Sequence, residues 1–158
     1  MSDTAPAVFE FRVERADAPI GRALLDAYLS DLRARIDGFD EGRSVSAAPE
    51  EMAPPGGAFL VGYLAGRPVA CGGIKDRGDA TAEVKRMWVA PDARRRGLGR
   101  RLLATLEEAA RAAGHDRVVL DTSARQPEAL ALYLAAGYAE VPDYNGNPYA
   151  AHWFTKAL

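Results

Sequence analysis

A chain of 158 residues with 48% apolar and 27% charged side chains has the composition of one globular domain and not of a disordered protein. Its 20 basic and 22 acidic residues leave a net charge of -2, which argues against nucleic acid or an anionic membrane surface as a partner. The lone cysteine, Cys71, excludes an intrachain disulfide, and no apolar run approaches the roughly 20 residues of a membrane helix.

Met1 to Val8 carries no basic segment followed by an apolar one, so no signal peptide is expected and a cytoplasmic protein is the default. Phe9, Phe11 and Val13 alternate with Glu10, Arg12 and Glu14, the period of a half-buried strand. Asp17 is placed to cap a helix with Pro19 in its first turn, and Ile20, Leu24, Leu25, Tyr28, Leu29 and Leu32 give that helix one apolar face. Residues 38–57 dissolve into Gly, Pro, Ser and acidic side chains, a long loop whose length favours a functional or mobile role.

Residues 58–64 and 69–74 read as strands of a hairpin turning at Ala65-Gly66-Arg67-Pro68. A third strand covers 82–89 and ends at Pro91, which cannot donate to a ladder. Leu98, Leu102, Leu103, Leu106, Ala109 and Ala110 line a helix over 97–113, with Gly114 placed at its C-terminus. A short apolar strand at 118–120, a helix entered at Pro127 and stopped at Gly137, and one or two terminal strands complete the chain. This order predicts a layered α/β domain around a mixed sheet.

The turn between 89 and 99 is the most informative stretch. A strand ends and a helix opens with Gly97 and Gly99 one residue apart. The first amides of a helix have no internal partner and lie at the positive end of its dipole. Glycine lets an anion approach that backbone, and Arg94, Arg95, Arg96, Arg100 and Arg101 add positive charge. A P-loop needs Gly-Lys-Ser/Thr, whereas Gly99 is followed by Arg100-Arg101. A Rossmann site needs a third glycine, which is missing, although Asp121 stands near the acidic position.

Arg94-x-x-Gly97-x-Gly99, with Val89-x-Pro91 before it and Leu102-Leu103 after it, resembles the coenzyme A signature of the GNAT N-acetyltransferase superfamily. Residues 127–138, containing Leu132-Tyr133 and Gly137-Tyr138, resemble the later helix of that superfamily. The resemblance covers nearly the whole chain. It implies six to seven strands, about four helices, and two neighbouring parallel strands, 82–89 and 118–120, that splay apart. Acetyl-CoA would lie in that gap, its arm against the backbone of Met87, Trp88 and Val89. Its diphosphate would rest on the turn formed by Arg94, Arg95, Arg96, Gly97, Leu98, Gly99 and Arg100. Relatives carry an asparagine after the second splayed strand; here the neighbourhood reads Asp121-Thr122-Ser123-Ala124, and a hydroxyl of Thr122 or Ser123 is the substitute.

The resemblance also implies roles in catalysis. Tyr133 would protonate the departing sulfur, and Glu83 would accept the proton of the amine. Pairing of Glu83 with Lys85 or Arg86 is an equal reading. Strand geometry places Glu83, Lys85, Met87 and Val89 on one face. A backbone amide near Met87 or Trp88 would hold the carbonyl oxygen.

Two dispersed histidines and one cysteine predict no metal site. His152, Trp153 and Tyr149 are candidates for an acceptor pocket. Asp37, Asp40, Glu41, Glu50 and Glu51 would suit a cationic amine or a solvated loop equally. The acceptor is a small amine, an amino acid or a protein amino group, and a homodimer is compatible with the resemblance. The rival functions are an acyl-CoA-binding regulatory module and, against the charge balance, an Arg94–Arg101 nucleic-acid surface.

Overall fold

The computed structural model describes residues 8–158; the N-terminal stretch read for a signal peptide lies, apart from Val8, outside them. The strands are β1 (Phe9–Val13), β2 (Ala58–Leu64), β3 (Arg67–Asp76), β4 (Thr81–Val89), β5 (Arg117–Thr122), β6 (Ala139–Val141) and β7 (His152–Ala157). They form one sheet in the order β1-β2-β3-β4-β5-β7-β6, in which β4 and β5 are the parallel pair. The α-helices are α1 (Pro19–Arg35), α2 (Leu98–Ala112) and α3 (Pro127–Ala135). Three α-helices stand where the resemblance implied about four, and the 38–57 stretch is a loop as read, with 3-10 turns at Glu41–Arg43 and Pro49–Met52.

Each face of the sheet has its own core. Leu98, Leu102, Leu103 and Leu106 of α2 pack with Val84, Leu120, Tyr133 and Phe154 on one face. Leu24 and Leu25 of α1 pack with Met52, Phe59, Val61 and Cys71 on the other. A Cβ on Gly73 would stand 2.2 Å from Met52 Sδ, so glycine is what allows the loop to lie on β3. Asp17 does not cap α1. The N-cap is Ala18, without a side-chain bond, and Asp17 instead takes two hydrogen bonds from Arg15 at 2.8 and 2.7 Å.

The functional geometry begins at an irregularity in β4. Gly73 pairs with Lys85 and Cys71 with Trp88, so Gly72 alone faces both Arg86 and Met87. This is a β-bulge, and Arg86 sits at its centre with φ 55. The extra residue reverses the alternation. Ala82 and Val84 face the α2 core before the bulge, and Met87 and Val89 face it afterwards. Trp88 meets the α1 core, and Lys85 donates to Val45 O in the loop beneath α1. The expectation that Glu83, Lys85, Met87 and Val89 share a face therefore fails at Arg86.

After Glu83, ahead of the bulge, β4 leaves β5. The two strands pair only at Thr81–Arg117, Ala82–Val118 and Glu83–Val119, while β5 continues alongside β7 as far as Thr122–His152. The predicted splay is present.

Candidate active site

A cleft of about 560 Å³ opens where the strands part. Its walls are Met87, Trp88 and Val89 of β4, Arg94, Arg95 and residues 97–100 of the turn, and Gln126, Ala129, Leu132 and Tyr133 at the start and along the length of α3. Asp31 and Arg35 of α1 complete it. A second recess of about 90 Å³ lies behind it, lined by Tyr28, Ser44, Val45, Ser46, Lys85, Arg86, Asp121, Thr122 and Asn147 among others. Met87, Gln126, Ala129 and Tyr133 line both spaces, so the two meet around these four residues.

The turn at the head of α2 has the form an anion needs. Gly97 is the N-cap in the left-handed region, at φ 74. Arg101 N–H is the first in the helix to bond back, to Gly97 O, which leaves the amides of Leu98, Gly99 and Arg100 free of intrahelical partners. A Cβ added at Gly99 would meet only Leu132 Cδ2, at an ordinary 3.6 Å. Nothing in the protein requires glycine there; the space it leaves belongs to the cleft. These features fit a bound diphosphate.

The arginines divide their work. Arg94 Nε donates to Val89 O at 2.9 Å and its NH2 reaches Asp31 at 3.3 Å, so it ties the end of β4 to α1. It also occupies the Val89 carbonyl that a cofactor arm was expected to use. Arg95 and Arg100 are exposed on the cleft wall. Arg96 is exposed and lines neither space, and Arg101 sits over the rings of Phe9 and Phe11.

Tyr133 is 6% exposed, and its hydroxyl donates to no described residue. Burial pushes its phenol well above the ordinary value of 10.0. The proton therefore stays on the oxygen throughout the neutral range, which keeps the hydroxyl a hydrogen-bond donor while making it a weaker acid. Trp88 Nε1 and Thr122 Oγ1 are buried without partners among the described residues.

Glu83 lines neither space. It is fully buried, and its oxygens are held by Arg77 at 3.3 Å, Lys85 at 3.1 Å, Tyr144 at 2.6 Å and Asn145 at 3.2 Å. The Asn145 side-chain amide also donates to Asp121 Oδ2 at 2.6 Å. Asp121 is the carboxylate that reaches the recess. His152, Trp153 and Tyr149 line neither space. His152 pairs with Glu140, Trp153 Nε1 donates to Asn145, and Asp40 N–H donates to the Tyr149 hydroxyl.

Sequence reasoning missed Tyr28, Asp31, Arg35, Gln126 and Asn147. Tyr28 was legible only as part of the α1 stripe, and Asp31-x-x-x-Arg35 has the spacing of a helical ion pair. Gln126 gave the weak signal of a polar residue before a helix-opening proline. Asn147 gave none. Among the described residues no helix is long and apolar enough to cross a membrane, and no group of three or more His, Cys, Asp and Glu is arranged to hold a metal.

The sequence profile of the Acetyltransferase (GNAT) family matches residues 22–138. A protein named IAA acetyltransferase from Azospirillum brasilense is 38% identical over 117 residues, covering 73% of this chain and 72% of that one. A GNAT-family acetyltransferase from Staphylococcus aureus Mu50 superposes with a TM-score of 0.78 at 14% identity, over 96% of this chain and 99% of that one. Salmonella typhimurium yncA, solved with its cofactor acetyl-CoA, superposes at 0.69 with 18% identity, over 98% and 95%. At those identities the two structures establish the shared fold, and the profile and the Azospirillum relative establish kinship. With its splayed strands and its amide-lined turn, the chain belongs to the GNAT family of acetyltransferases.

Proposed function

We propose that this protein transfers an acetyl group directly from acetyl-CoA to a primary amine. The observation that carries the reading is the meeting of a long cleft and a small recess at Met87, Gln126, Ala129 and Tyr133. A two-substrate reaction needs such a junction, with one substrate entering from each side. The cleft has the amide turn of a diphosphate site at one end, and a relative of the same fold is described with acetyl-CoA.

At the junction the amine nitrogen attacks the thioester carbonyl carbon, the carbon–nitrogen bond forms and the carbon–sulfur bond breaks. The Tyr133 hydroxyl donates a hydrogen bond that stabilises the leaving sulfur, and the thiolate, whose ordinary pKa of about 8.5 lies below that of the buried phenol, takes its proton from solvent as it departs. A backbone amide at Met87 or Trp88 faces the developing oxyanion. The amine proton passes to Asp121, the carboxylate in the recess. Glu83 acts from behind it, holding Lys85 and, through Asn145, orienting Asp121.

Two measurements test the reading: calorimetry with coenzyme A, and free-thiol release across an amine panel with acetyl-CoA. Binding with no thiol released against any amine favours an acyl-CoA-binding module. Absence of binding heat at millimolar coenzyme A ends the proposal.

A further inference from the structure

The recess carries an uneven set of charges. Its charged lining is Lys85 and Arg86 on β4 and Asp121 on β5. Lys85 is committed to the wall, donating to Val45 O at 2.9 Å and pairing with Glu83. Arg86 is held along one edge only. Its Nε donates to Ala47 O at 3.1 Å, its NH2 reaches the half-exposed Glu41 at 3.4 Å, and its NH1 meets no described acceptor. A guanidinium fixed at Nε, with NH1 open and NH2 held only at 3.4 Å by a half-exposed carboxylate, can turn its outer edge to a ligand carboxylate. The bulge is what aims it, because the left-handed backbone at Arg86 turns the side chain toward the loop and Tyr28, 6.0 Å from the ring centroid.

The opposite lip has the opposite character. Asp121 stands there with Thr122, which is 5% exposed and whose buried Oγ1 has no hydrogen-bond partner among the described residues. An unpaired buried hydroxyl costs stability unless a ligand completes it. The recess thus offers a cation on β4 and, across the splay, an anion with an idle hydroxyl on β5.

We propose that the acceptor is a free amino acid, or a comparably small amino-carboxylate, with its carboxylate on Arg86 and its amine toward Asp121 and the junction. This rests on the acetyltransferase reading and names its substrate class. A diamine or a protein lysine would set a second cation or a bare aliphatic stem against Arg86. Of the loop acids, Glu41 holds Arg86 NH2 and gives way to, or shares the guanidinium with, the substrate carboxylate, while Glu51 bonds Lys75 and the Ala48 amide and Asp40 accepts from the Gly42 amide. The recess of about 90 Å³ admits the dipolar head of one small molecule.

The test assays thiol release with the proteinogenic amino acids, their C-terminal amides and 1,4-diaminobutane, in wild type, Arg86→Gln and Arg86→Lys. The best substrate is expected to be a free acid, preferred over its amide by at least about ten-fold in kcat/KM. Arg86→Gln brings the acid-to-amide ratio close to one, mainly through KM for the acid, and Arg86→Lys restores part of it. The ratio is taken within each preparation, so partial unfolding of a variant does not alter it. Amides or the diamine used as well as acids, or a ratio that survives Arg86→Gln, overturns the inference and leaves the transferase standing. No turnover of any amine while coenzyme A binds removes both.

Discussion

Arg35 on α1 forms an ion pair with Glu128 on α3, joining two helices that cover opposite faces of the sheet. Such a contact is possible only where the sheet is open, and both residues line the cleft. Asp31 continues the chain of charges, bonding Arg35 and Arg94 at 3.3 Å each, and Arg94 grips the end of β4. The Glu128 side chain is 54% exposed, so solvent screens the pair. Glu128→Gln is expected to lower unfolding free energy by less than about 1 kcal/mol in urea titration. A loss of several kcal/mol would mean that the bridge holds the faces together.

Glu83 is the opposite case. Gln at this position keeps the shape but strips the charge facing Lys85 and Arg77 in a fully buried setting. Glu83→Gln is expected to cost about 2 to 4 kcal/mol of stability, because it strands a buried lysine. A variant as stable as wild type but inactive would return Glu83 to the role of direct base.

Most elements were readable because their signals are local. The 9–13 strand, the 98–110 stripe and the Gly97-x-Gly99 turn each depend on residues close in sequence and each forms, although the strand's alternation ends early, with Val13 67% exposed. The bulge was not readable. Nothing in Val84-Lys85-Arg86-Met87 announces it, for Arg86 is neither Gly nor Asn yet adopts a left-handed backbone. That single insertion moved Met87 to the opposite face and put Arg86 into the recess. The recess draws on α1, the 38–57 loop, β4, β5 and the 142–151 segment, which only tertiary structure brings together. Glu83 was singled out from the resemblance, while its four partners lie at 77, 85, 144 and 145.

Alkaline stability follows from neutral acids held away from water, Cys71 in the core and Tyr28 half-buried in the recess wall. Burial pushes the Cys71 thiol from 9.0 to about 12 and the Tyr28 phenol from 10.0 to about 12. Each folded value is raised, so the stabilisation is complete below the unfolded value and is lost as pH climbs toward the folded one. Unfolding free energy is expected to fall from about pH 9, by about 1.4 kcal/mol per pH unit for each group between its two values. Cys71→Ala should delay the onset by about one pH unit, toward the tyrosine range, as read by urea titrations at stepped pH. An unchanged onset would mean that the thiol is not what titrates first.

Tyr133→Phe separates donation from packing. The ring contacts with Tyr138 and Phe154, at centroid distances of 5.9 and 6.0 Å, survive the change. Stability should therefore hold while kcat falls about 100-fold and the acetyl-CoA KM stays within about two-fold. In the wild type kcat should show no loss from this group up to about pH 10, since burial holds the proton above the ordinary range. Wild-type turnover in the phenylalanine variant would reduce Tyr133 to a core aromatic.

The glycines of the turn make the sharpest pair of expectations, because one is demanded by the backbone and the other by the ligand. Gly97 sits at φ 74, where a side chain is strained, so Gly97→Ala should cost about 1 kcal/mol or more of stability. Gly99 lies in the first turn of α2, and an added Cβ meets only Leu132 at 3.6 Å. Gly99→Ala should leave the fold unharmed or steadier by up to about 1 kcal/mol, since alanine favours a helix. The same methyl intrudes on the space above the free amides, and coenzyme A affinity by calorimetry should drop at least about ten-fold. If Gly99→Ala instead weakens the fold and binds coenzyme A normally, that glycine serves packing and the diphosphate rests elsewhere.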